Sequence, residues 1–295
     1  MGRSARRLYD GKIMTDDGKI MTAADFDIAA QDGTRLHGRA WSVDAPVAVV
    51  NLIHGLGEHS GRYDHLAGYL NAQNISVYAV DLHGHGRTPG KRGVAKDIPT
   101  LIGDVSALLE FSRLQNPDAP HILMGHSMGG NIVLSYGLKY PASPYKAIVA
   151  QAPLIKPAEK VPGILKTIMS GLVKVAPNIA LKAKLDKEKI STLPHEQETY
   201  ITDPLNHGYL GGKLALSLFE HCEAIEKSAD VYPYDVLVTH GTQDRLTDFA
   251  ASRDFAARCP RADFIAYEGS AHEIHNDLHR DKVYADLSGW LLQKI

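Results

Sequence analysis

The stretch Ile122-Leu-Met-Gly-His-Ser127-Met-Gly-Gly-Asn131 constrains this chain more than any other. A short apolar run after Pro117 and Pro120 meets a Gly-x-Ser-x-Gly turn, and Asn131 to Tyr140 then reads as a helix ended by Pro141. A serine hydroxyl is a weak nucleophile until a base takes its proton. A sharp strand-to-helix turn lifts it clear so that the base can reach it. Such a turn brings strand and helix close together, so Gly125 and Gly129 stand where any side chain would collide, and Gly130 relaxes the next position.

On this architecture the acid and base follow the serine in the order Ser, Asp or Glu, His. Val236-Leu-Val-Thr-His-Gly241 is rich in strand-forming residues, and Asp244 lies in the loop just beyond it, where an orienting carboxylate belongs. Asp248, four residues later, precedes a helical run and reads instead as its N-cap. The next apolar run, Asp263 to Tyr267, leads into Glu268-Gly-Ser-Ala-His272, which makes His272 the expected general base. His275 and His279 fall where the closing helix begins and read as solvated surface residues. Glu273 and His275 give a His-Glu-x-His spacing rather than His-Glu-x-x-His, without an evident third ligand, so no metal is expected. For a developing oxyanion the expected donors are the backbone N–H groups of Met128, next to the serine, and of Leu56. Leu56 lies in the His54-Gly-Leu-Gly57 loop that follows the buried-strand pattern Val47 to Ile53.

Five blocks together make the chain resemble the monoacylglycerol lipases of the α/β-hydrolase superfamily. They are His54-Gly-Leu-Gly-Glu-His-Ser-Gly-Arg-Tyr63, Asp81-Leu-His-Gly-His-Gly86, Gly125-His-Ser-Met-Gly-Gly130, His240-Gly-Thr-Gln-Asp-Arg245 and Gly269-Ser-Ala-His272. The resemblance covers nearly everything after the first two dozen residues. It implies Ser127, Asp244 and His272 as a triad and Leu56 with Met128 as oxyanion donors. The chain departs from the family at Thr88, where a serine is common, and in the Glu-Ile-His that follows His272.

A chain of 295 residues suits a single α/β domain of this kind. Its net charge of -2 offers no basic face for nucleic acid, and its two cysteines, Cys222 and Cys259, are too few for a disulfide framework and fit a reducing, cytoplasmic setting. The N-terminal residues are basic, with no apolar run behind them that would read as an export signal or anchor. Gly11-Lys-Ile-Met-Thr recurs as Gly18-Lys-Ile-Met-Thr, too short for a repeat fold, so residues 1–24 read as a loosely ordered leader. From Asp25 onward, strands are predicted at the start, through Leu36 to Trp41, and near 47–53, 75–80, 121–124, 146–150, 235–239 and 262–267. Helical spans separate them, which implies a mostly parallel sheet with helices on both faces. The rhythm breaks between Pro153 and about Ser228. The expected organisation is a hydrolase core of residues 25–152 and 229–295 with a cap insertion over 153–228.

Within that insertion Val161, Ile164, Leu165, Ile168, Met169, Leu172 and Val173 recur at steps of three and four, so they line one face of a helix ended near Pro177, with Lys166, Ser170 and Lys174 opposite. From Lys160 to Leu185 there are five lysines and no acid. Two readings of the apolar stripe stand side by side. In one it packs down on the core; in the other Ile164, Leu165, Ile168 and Leu172 receive a lipid chain while the helix touches an anionic lipid surface, and the two need not exclude each other. The expected activity is that of a serine esterase cleaving monoacylglycerols through an acyl-enzyme, without cofactor or metal. A lysophospholipase or acyltransferase using the same triad, and a non-catalytic ligand-binding protein on the same fold, are the alternatives.

Overall fold

The computed structural model describes residues 23–182 and 186–295, together with the antiparallel backbone pair Leu8–Tyr9 (β1) and Lys12–Ile13 (β2). Apart from that pair, the expected leader lies outside the described residues up to residue 22. The core is an eight-stranded sheet. Its strands in chain order are β3 (Ala24–Ala29), β4 (Arg35–Trp41), β5 (Ala48–Ile53), β6 (Ile75–Val80), β7 (His121–His126), β8 (Tyr145–Gln151), β11 (Asp235–Gly241) and β12 (Ala262–Tyr267). Across the sheet the order is β12-β11-β8-β7-β5-β6-β4-β3. All neighbours from β12 to β6 run parallel, while β4 pairs antiparallel with both β6 and β3.

Helices cover both faces, as the alternation of patterns predicts. One face carries α1 (Asp64–Ala72) and α8 (Arg280–Lys294), packed on Val50, Leu52, Ile122 and Met124. The other carries α2 (Ile98–Gln115), α3 (Met128–Lys139) and α7 (Phe249–Arg258), packed on Val49, Ile53, Leu123 and Ile148. Strands covered on both faces are mostly apolar, and β5, β6 and β7 are buried at every residue. Asn51, in the middle of β5, satisfies its polar side chain by accepting from the Ser112 hydroxyl at 2.6 Å and donating to the Ile122 carbonyl at 3.4 Å.

Between β8 and β11 no described strand joins the main sheet. The insertion comprises α4 (Gly163–Val175), the short antiparallel pair β9 (Ala180–Lys182) and β10 (Tyr209–Gly211), α5 (Pro194–Thr202) and α6 (Gly212–Ser228). Its last helix reaches into the main core, where Leu214, Leu218 and Ile225 are buried beside residues of α3. In α4 the apolar residues divide. Met169 is buried, and its sulfur and Val173 press so close to Gly212 that a Cβ there would lie 2.7 Å from each. Ile164, Leu165 and Ile168 face outward, with 68%, 47% and 57% of their surface exposed, and Leu172 is half-buried. Lys166, expected on the polar face, instead folds its ammonium over the Phe219 ring at 4.2 Å.

Candidate active site

The candidate triad and oxyanion residues all stand beyond the C-terminal ends of parallel strands, where an open α/β sheet leaves room for a ligand, whereas the candidate acyl-chain residues Ile164, Leu165, Ile168 and Leu172 lie on α4 of the insertion. Ser127 follows β7 and precedes α3, with φ of 55° and ψ of −116°. This left-handed conformation is strained for a residue with a side chain. It is pinned by Ser127 N–H donating to Gln151 O at 2.9 Å and by Ser127 O accepting from Asn131 N–H at 3.1 Å and Leu154 N–H at 3.0 Å. The glycines around it have no room for a side chain: a Cβ at Gly125 would lie 2.2 Å from the Gly129 carbonyl oxygen, and one at Gly129 2.1 Å from that of Ile53.

Asp244 lies in the turn after β11 with a fully buried carboxylate that gathers five donors. Oδ1 accepts from the backbone N–H of Leu246 at 2.7 Å and of Thr247 at 3.1 Å. Oδ2 accepts from His272 Nδ1 at 2.7 Å, the Thr247 hydroxyl at 2.8 Å and His240 Nε2 at 3.0 Å. Burial alone would raise this carboxyl, yet the charge on His272 and hydrogen bonds from His240 and His272 hold it well below the usual carboxylate range. The same pairing works in reverse on His272. Burial pushes its imidazole down, but the Asp244 charge and hydrogen bond, with Glu273 and Glu58 beyond, raise it above the ordinary histidine value. With Nδ1 committed to Asp244, Nε2 is the nitrogen free for proton transfer. Asp248 caps α7 by accepting from Ala251 N–H at 3.0 Å and does not touch His272.

The loop after β5 abuts the serine: a Cβ on Gly55 would lie 3.2 Å from the Ser127 Cβ. Among the described residues neither Leu56 nor Met128 donates its N–H to a protein acceptor, and Met128, the first residue of α3, has no helical partner to use. A buried network below holds the loop. Glu58 accepts from Gly55 N–H at 2.6 Å and from the Tyr63 hydroxyl at 2.9 Å, and Arg62 bridges Glu58 to Glu273, the neighbour of His272. Burial raises the Glu58 carboxyl, whereas Arg62 outweighs burial at Glu273 and lowers it. Asp81 ties the loop to the next one, accepting from Ser60 N–H at 2.8 Å and Arg87 N–H at 2.7 Å. Thr88 hydrogen-bonds the Asp81 carbonyl at 2.5 Å.

Two expectations are corrected. His275 is not on the surface: it is fully buried and stacked on Tyr63 with ring centroids 5.0 Å apart. The reason is that residues 274–276 form a separate, buried 3-10 turn, and α8 starts only at Arg280. Burial pushes its imidazole down to about 4, so it is neutral. His279 is half-buried, with Nε2 donating to the Glu268 carbonyl at 2.8 Å. The partners that sequence reasoning misses are His240 and Thr247 on Asp244, and the Glu58–Arg62–Glu273 bridge. His240 sits four residues before Asp244, a spacing that could flag it; the bridge spans 211 residues and leaves no local signal. Among the described residues no group of three His, Cys, Asp or Glu side chains is placed to hold a metal ion.

Comparison with known proteins places this geometry among relatives. The family model described as serine aminopeptidase, S33, matches residues 44–279. A monoacylglycerol lipase of Mycolicibacterium smegmatis is 34% identical over 278 residues, covering 93% of this chain and 99% of that protein. The monoglyceride lipase of Rattus norvegicus is 29% identical over 271 residues, covering 90% and 89%. The crystal structure of a Paleococcus ferrophilus monoacylglycerol lipase superposes with a TM-score of 0.79 at 30% identity, covering 88% of this chain and 99% of that one.

Proposed function

From the premise that this chain belongs to the serine aminopeptidase S33 family of α/β-hydrolases, we propose that it hydrolyses monoacylglycerols to fatty acid and glycerol. The observation that carries the reading is the conjunction of a strained serine at the β7–α3 turn with a buried Asp244–His272 pair, bonded at 2.7 Å. Ser127 Oγ attacks the ester carbonyl carbon while His272 Nε2 takes its proton. The negative charge on the carbonyl oxygen is met by the Leu56 and Met128 N–H groups. Collapse breaks the ester C–O bond, and His272 returns the proton to the departing glycerol oxygen. Water then repeats the sequence on the acyl-enzyme, freeing the fatty acid and restoring the serine.

The substrate class follows from relatives named for monoacylglycerol or monoglyceride hydrolysis and from the insertion over residues 153–228, read as a cap. Its exposed Ile164, Leu165 and Ile168, beside the half-buried Leu172, are an apolar entrance for an acyl chain. Lys160, Lys166, Lys174 and Lys182, on the same acid-free stretch of sequence, lend it positive charge suited to an anionic lipid surface. We read this contact as peripheral; no described helix is long and apolar enough to cross a membrane. Both cysteines are free and buried, which supports a reducing cytoplasmic setting. The deciding experiment is glycerol release from a panel of monoacylglycerols, diacylglycerols and lysophospholipids, with labelling by a serine-directed phosphonate. Fast release from monoacylglycerol alone supports the reading. Preference for lysophospholipid would move it to the neighbouring class, and an unlabelled Ser127 would remove it.

A further inference from the structure

His272 is flanked by two backbone N–H groups, one bonded directly to the insertion and the other bonded to Asp277, which is itself held by the insertion. On its C-terminal side, Glu273 N–H donates to the Ile190 carbonyl at 2.8 Å. On its N-terminal side, Ala271 N–H donates to Asp277 Oδ2 at 2.6 Å. The other oxygen of that carboxylate accepts from Thr192 N–H at 3.1 Å, from the Thr192 hydroxyl, and from the Ser191 hydroxyl at 3.3 Å. Ser191 also donates to the Asn276 carbonyl at 2.8 Å. Asp277 is 2% exposed and Ser191 fully buried, so water does not compete for these bonds. The Asp244 carboxylate fixes how the imidazole is turned, but it does not fix where the backbone carrying the ring stands. Alongside the Arg62–Glu273 pair and the Gln243 N–H bond to the Ser270 carbonyl, residues 190–192, more than 80 residues away in sequence, hold that backbone, largely through one carboxylate.

We propose that Asp277 is a positioning residue that makes the docked insertion a condition for seating the general base. The inference rests on the reading of His272 as that base. Residues 190–192 precede α5 within the insertion, so a displacement of this part of the cap moves both anchors of the His272 loop together. A shift on the scale of 1 Å at a reacting group is enough to lower turnover by about 10²-fold. The insertion would then do more than roof the site, since undocking it silences the base.

The test uses the full chain and p-nitrophenyl butyrate, a soluble ester that needs no lipid surface. Asp277→Ala should lower kcat by about 10²-fold with KM changed by less than about twofold, because the base is displaced while the binding surface remains. Thr192→Val removes one hydroxyl and keeps the shape, and should lower kcat by a smaller factor. In the Asp277→Ala background it should add little, since both act through one carboxylate. The downfield proton resonance of His272 Nδ1–H should broaden in Asp277→Ala. A normal kcat with only a lowered melting temperature, or full additivity of the two changes, would overturn the proposal. If Asp277→Ala does not fold, Thr192→Val decides alone, an unchanged kcat counting against the brace. His272→Ala separates the two readings: retained turnover there removes the base itself, whereas an inactive His272→Ala beside fully active Asp277→Ala and Thr192→Val removes only the brace.

Discussion

Ser127 holds a backbone conformation that costs about 1–3 kcal/mol for a residue with a side chain, and hydrogen bonds to Gln151, Leu154 and Asn131 keep it there. Gly129→Ala should therefore fail more severely than an ordinary helix substitution, because its Cβ would meet the Ile53 carbonyl oxygen, a backbone atom that cannot swing aside. Loss of phosphonate labelling in a variant that still folds is the expected result. Ser127→Ala and His272→Ala should each lower kcat by about 10³-fold or more, with the double variant little worse, because the groups act as a unit. Asp244→Asn should also be inactive, while Asp248→Ala should keep turnover and lose about 1 kcal/mol of stability as a lost N-cap. The pH profile follows from His272. Its raised pKa means that the neutral base is depleted earlier on acidification, so kcat/KM should fall through an ionisation above the ordinary value of about 6.5. An acid limb below that value would show that Asp244 does not govern the base.

Among the elements, those with a sequence period are the ones legible in advance. The eight sheet strands and the α4 helix announce themselves in apolar spacing, and Ser127, Asp244 and His272 stand out because each follows a strand pattern directly. His275 is easily misplaced because a helical pattern does not show where the helix starts, and the buried turn before α8 has no period of its own. Glu58, Arg62, Glu273 and Asp277 carry no periodic signature at all, since their meaning depends on pairings between distant loops. For α4 the sequence leaves packing and lipid contact open, and in the structure part of the stripe packs while the rest stays exposed. Met169 and Val173 face α6, while Ile164, Leu165 and Ile168 face out. Replacing Ile164 and Leu165 by lysine should leave the melting temperature nearly unchanged and cut hydrolysis of long-chain monoacylglycerol in vesicles by about tenfold or more. Short soluble esters should be affected much less. Equal losses on both substrates would mean that the exposed residues are not a lipid entrance.

The whole molecule buries many of its histidines in neutral form. Burial pushes His54 and His275 down to about 4, and lowers His85, His121, His126, His207 and His221 as well, whereas among the described residues only His83 and His272 are raised. A lowered histidine takes up its proton in the unfolded chain from about pH 6.5 downward but in the folded chain only near its own pKa. Each such group therefore withdraws stability as pH falls across that window, by about 1.4 kcal/mol for every tenfold that folding weakens its hold on the proton. The two raised groups act in the opposite sense and are outnumbered. The melting temperature should drop between pH 7 and pH 5, before the carboxylates titrate. A flat profile by scanning fluorimetry over that range would show the histidines to be solvated.

The order of the strands along the chain also has a bearing on synthesis. Ser127 follows β7 in the middle of the sheet, but His272 arrives only after β12, which pairs on one side alone. A ribosome that has made the chain as far as β11 has already produced the proposed nucleophile, the proposed oxyanion loop and the entire insertion, but not His272. The proposed apolar entrance is therefore synthesised before the residue proposed to act as the base.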